Sequence, residues 1–516
     1  MSCNEKGAEQ NPRPVFSRSD MEISKAKEVF KAGLKLSEAY RHASVVMNYD
    51  SMTAAPKNAA AYFGADMALL SGEARKVKLD KDFIEAVETL CAHAGELDVI
   101  TRREAEEEMR GLERMRAIPA EEHAAYRRLL GVSFAKWQEA KRRDDFALFE
   151  PYLDEVINAC RRMAQLAAPE TDPYDYWLNE NEEGASTQML DGFFALLKRE
   201  LVPLIAAVSE REKPDASFLH AYFPKAEQQK FSLELMDLMG IDRDRCSLGE
   251  AEHPYTTFIS RSDVRMTTHY YERYAAANMF SVIHEGGHAL YELNVGEELK
   301  GSPLAHGASA GMHESQSRFY ENIIGRSREF AELVLPLMKK HFPEQFSGVD
   351  AEGFYRAVNR VEPSLKRTEA DELTYCLHIM IRYELEKRLL HGELKAADVP
   401  AEWNRLYKEY LGLDVPNDRE GCLQDMHWGS GLIGYFPTYA LGNAYGAQIA
   451  AALEKRVNVW ELVRRGGLPE ITTVLTEGIY RFGKLKTPAQ LIEGFCGEGF
   501  EPRYYIEYLK EKYGAL

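Results

Sequence analysis

Apolar residues recur three or four positions apart along most of this chain, and this pattern predicts a mainly α-helical protein. Charged residues fill many of the intervening positions, as they do in helices that bury one face and expose the other. Ser19 and Glu22 match a capping box in front of the first such stretch. The pattern predicts helices over residues 23–46, 149–168, 188–208, 273–293, 314–324, 327–340, 373–390, 403–410, 440–453 and 504–513, with further amphipathic stretches over 79–144.

One segment departs from the helical pattern. Residues 255–271 are rich in Thr, Ile, Val and Tyr, and Val264, Met266 and Thr268 partly alternate with other positions. Alternation of β-branched and aromatic residues favours strands. The segment therefore predicts one or two strands, or a hairpin, between the helices.

The organisation of the chain indicates one large unit. Its 516 residues would by length alone allow about three domains. The sequence contains no internal repeat, no low-complexity tract and no linker rich in Pro and Ser that would mark a boundary. We therefore predict a disordered lead over residues 1–18 and a single, mostly helical domain with a small β element over residues 19–516.

Charge and cysteine usage exclude several classes of protein. The formal net charge of -18 argues against a general nucleic-acid binder, because phosphate contacts require clustered Lys and Arg. No run of about 18 apolar residues predicts a membrane span, and residues 1–14 lack the apolar core of a signal peptide.

The seven cysteines are widely spaced and form no CxxC pair, which argues against a disulfide framework or a cysteine-based zinc site. A reducing cytoplasm fits this usage best.

The strongest chemical signal is the run His284-Glu285-Gly286-Gly287-His288. Residues four apart share a helix face, so the two histidines can offer their imidazoles to one metal ion. Glu285 lies beside the first histidine, where it can activate a water molecule at the ion. Glycine costs about 1 kcal/mol in a helix interior, so the glycine pair indicates a close approach of metal, substrate or another backbone. The alternative interpretation is a pair of ordinary core histidines in a tightly packed helix.

A catalytic zinc site needs a third protein ligand and leaves one position open. Glu314, in His313-Glu314-Ser315, is the first candidate, because it follows His284 by 30 residues and is predicted to begin a second helix. His306 is the weaker candidate, since it lies in a loop rich in Gly, Ser and Ala. The spacing alone favours Glu314 as a ligand no more than as a solvated side chain.

Further short motifs accompany the histidine pair. They are HPY at 253–255, DVRMT at 263–267, HEGGHALYE at 284–292, HESQSR at 313–318, KRTEAD at 366–371, GCLQDMHW at 421–428 and GYFPTY at 434–439. Together and in this order they resemble the HPF, DxRxT, HExxH, IRxxAD and GxxQDxHW elements of the carboxypeptidase Taq family of metallocarboxypeptidases. The similarity extends from about residue 22 to the C-terminus.

The resemblance implies a mostly helical fold with a deep groove, related to angiotensin-converting-enzyme-like and neurolysin-like peptidases. It also implies a homodimer that removes residues one at a time from the C-termini of peptides. We expect one divalent ion per subunit, Zn²⁺ before Co²⁺, because two histidines and a glutamate suit both ions. Lys366 in place of an aliphatic residue, Tyr255 in place of Phe, and the lack of a Trp before Asp50 are departures that affect substrate preference rather than chemistry.

The resemblance also implies roles for individual residues. The histidine pair and the downstream glutamate hold the ion, and Glu285 is the general base. A further donor should stabilise the oxyanion that develops at the scissile carbonyl, and His427 and Tyr439 are the candidates. A packing role near the groove is the alternative for His427. Asp371 and Glu372 are candidates for a carboxylate that orients a ligand, or for ordinary helical salt bridges.

A carboxypeptidase must recognise a free α-carboxylate, which the planar guanidinium of Arg binds with two hydrogen bonds. Arg367 is the first candidate and Arg265 the second, although an ion pair with Asp263 is the simpler interpretation of Arg265. Arg382 is more simply a charge on a helix surface. His253 is a further candidate for substrate binding.

Two other functions are compatible with the same chain. An oligopeptidase or endopeptidase would use the same metal site to cut inside short peptides, and a carboxylate-binding Arg367 argues against it. A helical binding protein without activity would not need the site, and the intact histidine pair, Glu285 and Glu314 argue against that function.

Overall fold

The structure, a computed structural model, describes residues 21–516, except for the side chains of residues 57, 60 and 61. The predicted lead over residues 1–18 and Ser19 of the predicted capping box lie outside the described residues. The first helix begins at Ile23, directly after Glu22, whose side chain makes no capping hydrogen bond.

Twenty α-helices make up most of the described chain, as the apolar pattern predicted. In chain order they are α1 (Ile23–Thr53), α2 (Ala60–Lys78), α3 (Lys81–Ala92), α4 (Val99–Ala117), α5 (Ala120–Arg143), α6 (Glu150–Ala167), α7 (Pro173–Asn181), α8 (Thr187–Ser209), α9 (Lys225–Met239), α10 (Ala275–Leu293), α11 (Ala310–Arg318), α12 (Arg328–His341), α13 (Ala351–Val358), α14 (Glu372–His391), α15 (Val399–Leu411), α16 (Phe436–Glu454), α17 (Val459–Arg464), α18 (Leu468–Gly478), α19 (Pro488–Cys496) and α20 (Arg503–Ala515). A π-helix, Phe319–Ile324, follows α11 directly.

Three strands form one small sheet in the order β1-β3-β2. Strands β2 (Thr256–Ser260) and β3 (Asp263–Thr268) pair antiparallel, which is the hairpin that the sequence predicted. Strand β1 (Cys246–Glu250) pairs parallel with β3 and was not predicted. Its five residues include Gly249 and only one buried side chain, so no alternation marks it; its pairing depends on tertiary contact with β3.

Helices α10, α11 and α16 form the centre of the main core. Nearly all of α16 is buried, and a helix that is apolar on every side belongs in the interior. A Cβ at Gly442 of α16 would lie 2.6 Å from the side chain of Glu314, and one at Gly446 would lie 3.0 Å from the backbone oxygen of Ser315. Because these two positions are glycines, α11 can lie directly against α16.

A second, smaller apolar cluster lies under α1, α3 and α4, with Phe30, Phe83 and Leu90 among its buried members. Ion pairs connect α4 to the main body, among them Arg103 with Glu183 of the segment after α7. Within the described part of the chain, no helix combines the length and the apolar character needed to cross a membrane.

Candidate metal centre

Helix α10 carries the histidine pair into the centre of the molecule. His284 and His288 lie one turn apart on the same face, with ring centroids separated by 5.0 Å. A Cβ at Gly287 would lie 2.6 Å from the backbone oxygen of Gln316 on α11. The close approach that the glycine pair indicated is therefore, at this position, the backbone of a second helix.

Helix α11 supplies the third residue of the group. It begins at Ala310, capped by Ser309, so Glu314 lies in its second turn rather than at its start as predicted. Glu314 Oε2 lies 3.8 Å from His284 Nε2 and 3.7 Å from His288 Nε2. Bonds of about 2.0–2.1 Å around a tetrahedral ion separate its ligands by about 3.3–3.4 Å. The three side chains therefore fit a zinc-sized ion after a small contraction.

Glu285 lies buried beside this group. The hydroxyl of Thr256, the first residue of β2, donates to Glu285 Oε2 over 2.6 Å and also lies 3.0 Å from the backbone oxygen of Glu285. Burial raises the pKa of Glu285, although the nearby His284 and the Thr256 hydrogen bond act in the opposite direction. A carboxyl group held in one orientation, with a raised pKa, suits a general base.

A carboxylate on the π-helix orients His284. His284 Nδ1 donates to Glu321 Oε2 over 2.8 Å, which leaves Nε2 to face Glu314. Arg318 donates to Glu314 over 2.8 Å and to Glu321 over 3.1 Å, so one guanidinium partly balances both carboxylates. Such an outer carboxylate fixes both the tautomer and the ring orientation of a histidine that binds a metal.

A second histidine contacts His288. His288 Nδ1 lies 2.8 Å from His313 Nδ1, and His313 Nε2 lies 2.6 Å from Glu292 Oε1. His306, the weaker candidate for third ligand, has its Nδ1 3.8 Å from Glu292 and is not part of the converging group. Burial and the neighbouring His313 lower the pKa of His288 well below its usual range, so its imidazole is neutral, as metal binding requires.

Asp371 and Glu372 do not contact the histidine pair, and of the two alternatives for them the structure favours ordinary helical interactions. Asp371 caps the start of α14 by accepting from the amide of Thr374. Glu372 accepts hydrogen bonds from side chains of α20, namely Tyr508, Lys512 and Tyr513. Both carboxylates are occupied at the junction of α14 with its neighbours, and Glu321 takes the orienting position instead.

The converging group borders a cavity of about 850 Å³. This volume lies in the range typical of ligand sites. Beside the converging group, its walls include Thr256, Tyr435 and Tyr439. They also include charged residues of the N-terminal half that form ion pairs with one another, namely Arg103 and Arg110 with Glu183, and Arg114 with Glu180.

The two predicted oxyanion donors differ in their access to the cavity. Tyr439, on the first turn of α16, lines it. His427 is only 8% exposed, and its Nε2 lies 3.4 Å from the hydroxyl oxygen of Tyr439. Burial lowers the pKa of His427 to about 4, so this imidazole is neutral at physiological pH. Of the two candidates, Tyr439 is the one that lines the cavity, and His427 contacts Tyr439.

A buried cluster of charges lies behind Tyr439. Arg367 donates to Asp425 Oδ1 through Nε and Nη2, over 3.1 and 2.9 Å, and to the hydroxyl of Tyr375 over 3.2 Å. Arg382, expected on a helix surface, is instead fully buried and pairs with the same Asp425 over 2.6 Å, because α14 is enclosed on nearly all sides. Two arginines share one carboxylate, and the guanidinium carbon of Arg367 lies 5.0 Å from the centre of the Tyr439 ring.

The two other substrate-binding candidates lie elsewhere. Arg265 forms a bidentate ion pair with Asp263 over 2.9 and 2.8 Å, the structural pairing that the sequence favoured. Its guanidinium also packs on the ring of Tyr49. His253 is exposed in the turn before β2. Arg265 and His253 are not among the described residues that line the cavity, and neither is Arg367.

Sequence reasoning missed several residues that hold the site together. Glu321 carried a usable signal, because it follows Glu314 by seven residues, or two helical turns, and so shares its face. The sequence places His313 next to Glu314, and a histidine beside a candidate metal ligand is itself a signal of a residue that contacts the site. Thr256 and Asp425 come from a strand and a loop far away in sequence, and no local spacing relates them to Glu285 or Arg367.

Comparison with known proteins agrees with this geometry. A family model described as carboxypeptidase Taq (M32) metallopeptidase matches residues 29–513. The chain is 39% identical to Carboxypeptidase 1 of Bacillus subtilis, over 96% of this chain and 99% of that protein. It is 34% identical to Thermostable carboxypeptidase 1 of Pyrococcus furiosus, over 92% and 96% of the two chains. A crystal structure of the M32 carboxypeptidase from Deinococcus radiodurans R1, 34% identical, gives a TM-score of 0.92 and covers 95% of this chain and 99% of that one. The protein is therefore a hydrolase, and the chain belongs to the carboxypeptidase Taq (M32) metallopeptidase family.

Proposed function

We propose that the protein is a metal-dependent carboxypeptidase that hydrolyses the C-terminal peptide bond and releases single amino acids from peptides with a free C-terminus. The observation that carries this proposal is the convergence of His284, His288 and Glu314 beside the buried Glu285. These residues border a cavity large enough for a peptide segment, in a chain of this family.

Two imidazole nitrogens and one carboxylate oxygen would hold one divalent ion, Zn²⁺ by preference and Co²⁺ as the alternative. When bound, the ion supplies Lewis-acid polarisation of the scissile carbonyl and lowers the pKa of water. The partners that orient the ligands, Glu321 and His313, support this assignment, because histidines that bind metals almost always donate their second nitrogen to such a group.

Glu285 acts as general base and then as general acid in this proposal. It takes a proton from the attacking water and delivers it to the amine of the leaving residue. Thr256 holds one carboxylate oxygen of Glu285, so the group keeps one orientation through both transfers. The burial of Glu285 removes competing water from around the carboxylate and raises its pKa towards the range in which proton transfer in both directions is efficient.

Tyr439 donates its hydroxyl to the oxyanion that develops at the carbonyl. Its position on the cavity wall supports this role, and His427 holds the hydroxyl from behind. Burial raises the pKa of Tyr439, so the hydroxyl keeps its proton at neutral pH and remains a donor. His427 then acts through Tyr439 rather than on the substrate.

Arg367 attracts the α-carboxylate of the substrate. The excess positive charge of the pair Arg367 and Arg382 over Asp425, directly behind Tyr439, supports this role. Arg265 and His253 would influence substrate binding only by supporting the β2–β3 hairpin, whose residue Thr256 borders the cavity.

The test compares an N-blocked peptide with its C-amidated twin, each incubated with Zn²⁺-loaded protein, with products followed by mass spectrometry. We expect successive losses of single residues from the free C-terminus only. Internal cuts in both peptides would assign the protein as an endopeptidase, and no cleavage by the metal-loaded protein would contradict catalysis. Glu285→Gln should keep the ion and lose nearly all turnover.

Variants refine the assignment of the carboxylate site. Because Arg367 lies behind Tyr439 and does not line the cavity, it would attract the α-carboxylate through charge alone, and Arg367→Ala should lower kcat/KM on the free peptide about fivefold, or about 1 kcal/mol. Arg265→Ala also loses an ion pair with an aspartate, but Arg265 packs on Tyr49 rather than on Tyr439, so this variant is the matched control and should change kcat/KM little. An equal loss for both variants would remove Arg367 from this role.

We further propose that the cavity belongs to a deep groove like those of neurolysin-like and angiotensin-converting-enzyme-like peptidases. We also propose that residues 19–516 act as one catalytic domain. Finally, we propose that the protein is a cytoplasmic homodimer. Arg103 of α4 on the cavity wall supports a single domain. The six cysteines within the described residues are free thiols, which supports a reducing compartment. Tyr62 and Leu69 on α2 are 77% and 65% exposed, which supports contact with a second copy, and light scattering would test it.

A further inference from the structure

A chain of hydrogen bonds leads from His288 to a buried carboxylate on the same helix. His288 Nδ1 lies 2.8 Å from His313 Nδ1, and His313 Nε2 lies 2.6 Å from Glu292 Oε1. Glu292 is 4% exposed and follows His288 by four residues, so both side chains leave α10 on one face. His313, from α11, bridges the two. Burial opposes the charge of Glu292, but hydrogen bonds from His306 and His313 outweigh it and lower its pKa to about 2.

The positions of the protons follow from the ends of this chain. A carboxylate only accepts, so His313 Nε2 carries a proton and donates it to Glu292. In the tautomer of His288 that leaves Nε2 free for an ion, the proton sits on Nδ1, and Nδ1 of His313 accepts its hydrogen bond. His288 is left with an unprotonated Nε2, the nitrogen that lies 3.7 Å from Glu314 Oε2.

We infer that Glu292 and His313 are positioning residues of the metal centre, which act as a relay that holds His288 in the tautomer able to bind the ion. This inference rests on the proposed metal site. It assigns the two ligand histidines different supports: His284 donates directly to Glu321, whereas His288 reaches its carboxylate through a second imidazole.

Gly307 provides the space that the relay occupies. A Cβ there would lie 2.5 Å from His313 Cδ2 and 2.9 Å from His313 Nε2. The backbone amide of Gly307 also donates to Glu292 Oε1 over 3.3 Å. A methyl group at this position would push His313 away from Glu292 without removing a polar group. Gly307 therefore offers a test of the relay that is independent of changes to His313 and Glu292 themselves.

The experiment measures the Zn²⁺ affinity of the metal-free full chain by competition with a chromogenic chelator. His313→Ala should bind Zn²⁺ about 10- to 100-fold more weakly, the usual cost of losing an outer partner of a ligand histidine. His313→Asn places an oxygen near the position of Nδ1 and should recover part of the affinity. Glu292→Gln keeps an acceptor for His313 and should lose less than Glu292→Leu, which keeps none.

Gly307→Ala should weaken Zn²⁺ binding roughly tenfold by displacing His313. Gly494→Ala on α19, where a Cβ would meet nothing within 4 Å, is the matched control and should leave the affinity unchanged. The thermal unfolding of each metal-free variant is measured in parallel. An affinity loss without a matching drop in the melting temperature of the metal-free chain supports a positioning role, because a merely structural residue would lower that temperature.

Unchanged Zn²⁺ affinity in both His313→Ala and Gly307→Ala would overturn the inference. Equal losses in His313→Asn and His313→Ala would also overturn it, because the retained acceptor would then be irrelevant. The outcome is separable from that of the proposed function, since peptide cleavage is not part of the measurement. Failure of the metal site itself would instead appear as an absence of Zn²⁺ binding by the unmodified chain.

Discussion

Replacing Gly287 by alanine should weaken the metal centre, whereas the same change at the adjacent Gly286 should not. Both positions lie inside α10, and each gains about 1 kcal/mol in helix propensity from the change. A Cβ at Gly287 would lie 2.6 Å from the backbone oxygen of Gln316 and 2.7 Å from the Cα of Ser317, both fixed backbone atoms of α11. A Cβ at Gly286 would lie 2.7 Å from the terminal methyl of Met239, the end of a flexible side chain that can move aside.

The size of the effect follows from the space available at Gly287. Ordinary van der Waals contacts begin at 3.4 Å, so a contact of 2.6 Å requires α11 to move by about 0.8 Å. Glu314 lies two residues before Gln316 and moves with it, away from histidines whose Nε2 atoms are already 3.7–3.8 Å from its Oε2. Overpacking of this kind costs about 1–3 kcal/mol. The metal-free chain can relieve this contact by moving α11, whereas an ion requires Glu314 to stay close to the histidines, so we expect the cost to weaken Zn²⁺ binding about 5- to 150-fold.

The assay is Zn²⁺ competition with a chelator, together with thermal unfolding of the metal-free and metal-loaded forms. Gly287→Ala should lose affinity while its metal-free form unfolds within a few degrees of the unmodified chain. Gly286→Ala should bind Zn²⁺ normally and unfold at the same or a higher temperature. Equal affinities for the two variants would refute the reasoning that the α10–α11 distance at Gly287 sets the ligand geometry. A loss in both would attribute the effect to α10 alone.

Three further changes test other parts of the site. Thr256→Val should lower kcat about tenfold and leave the Zn²⁺ affinity unchanged, because Glu285 loses the hydrogen bond that orients it. Thr256→Ser keeps the hydroxyl and should restore kcat in steady-state assays. Glu321→Ala should weaken Zn²⁺ binding about 10- to 100-fold in equilibrium dialysis. Glu321→Gln keeps an acceptor for His284 and should lose less affinity. Equal losses of affinity in the two variants would contradict a hydrogen-bonding role. Removal of the ion with a chelator should lower the melting temperature and abolish turnover. Zn²⁺ at about 100 times its Kd should restore about 2.7 kcal/mol of stability. An unchanged melting curve would contradict selective binding of the ion to the folded chain.

The sequence is most informative where the chemistry depends on spacing within one helix. The four-residue interval of His284 and His288, with Glu285 between them, is a local property, and the structure brings these residues together as that interval predicts. Glu314 required one more step, the packing of a second helix, and the spacing alone left His306 as an alternative. The structure separates the two: Glu314 approaches both histidines, and His306 approaches Glu292.

The residues that the sequence did not identify are those whose position depends on tertiary contacts. Arg382 follows the pattern of an exposed charge, yet α14 is enclosed, and burial becomes possible because Asp425 from a distant loop pairs with it. Thr256 reaches Glu285 because the hairpin lies against α10, a contact that no periodicity encodes. Strand β1 has the same origin, since pairing with β3 rather than its own alternation makes it a strand.

Two helices, α10 and α11, supply most of the residues of the candidate metal centre, so the contact between these helices determines much of its geometry. Helix α10 contributes the histidine pair, Glu285 and Glu292, and α11 contributes both Glu314 and His313. Adjacent residues of a helix point about 100° apart, and here Glu314 joins the converging group whereas His313 contacts His288 and Glu292 beside it. The α10–α11 distance that brings Glu314 to the histidine pair therefore also sets the distance from His313 to His288 and Glu292. A displacement of α11 would therefore alter the proposed ligand Glu314 and its neighbour His313 together, and the close backbone contact at Gly287 holds both in place.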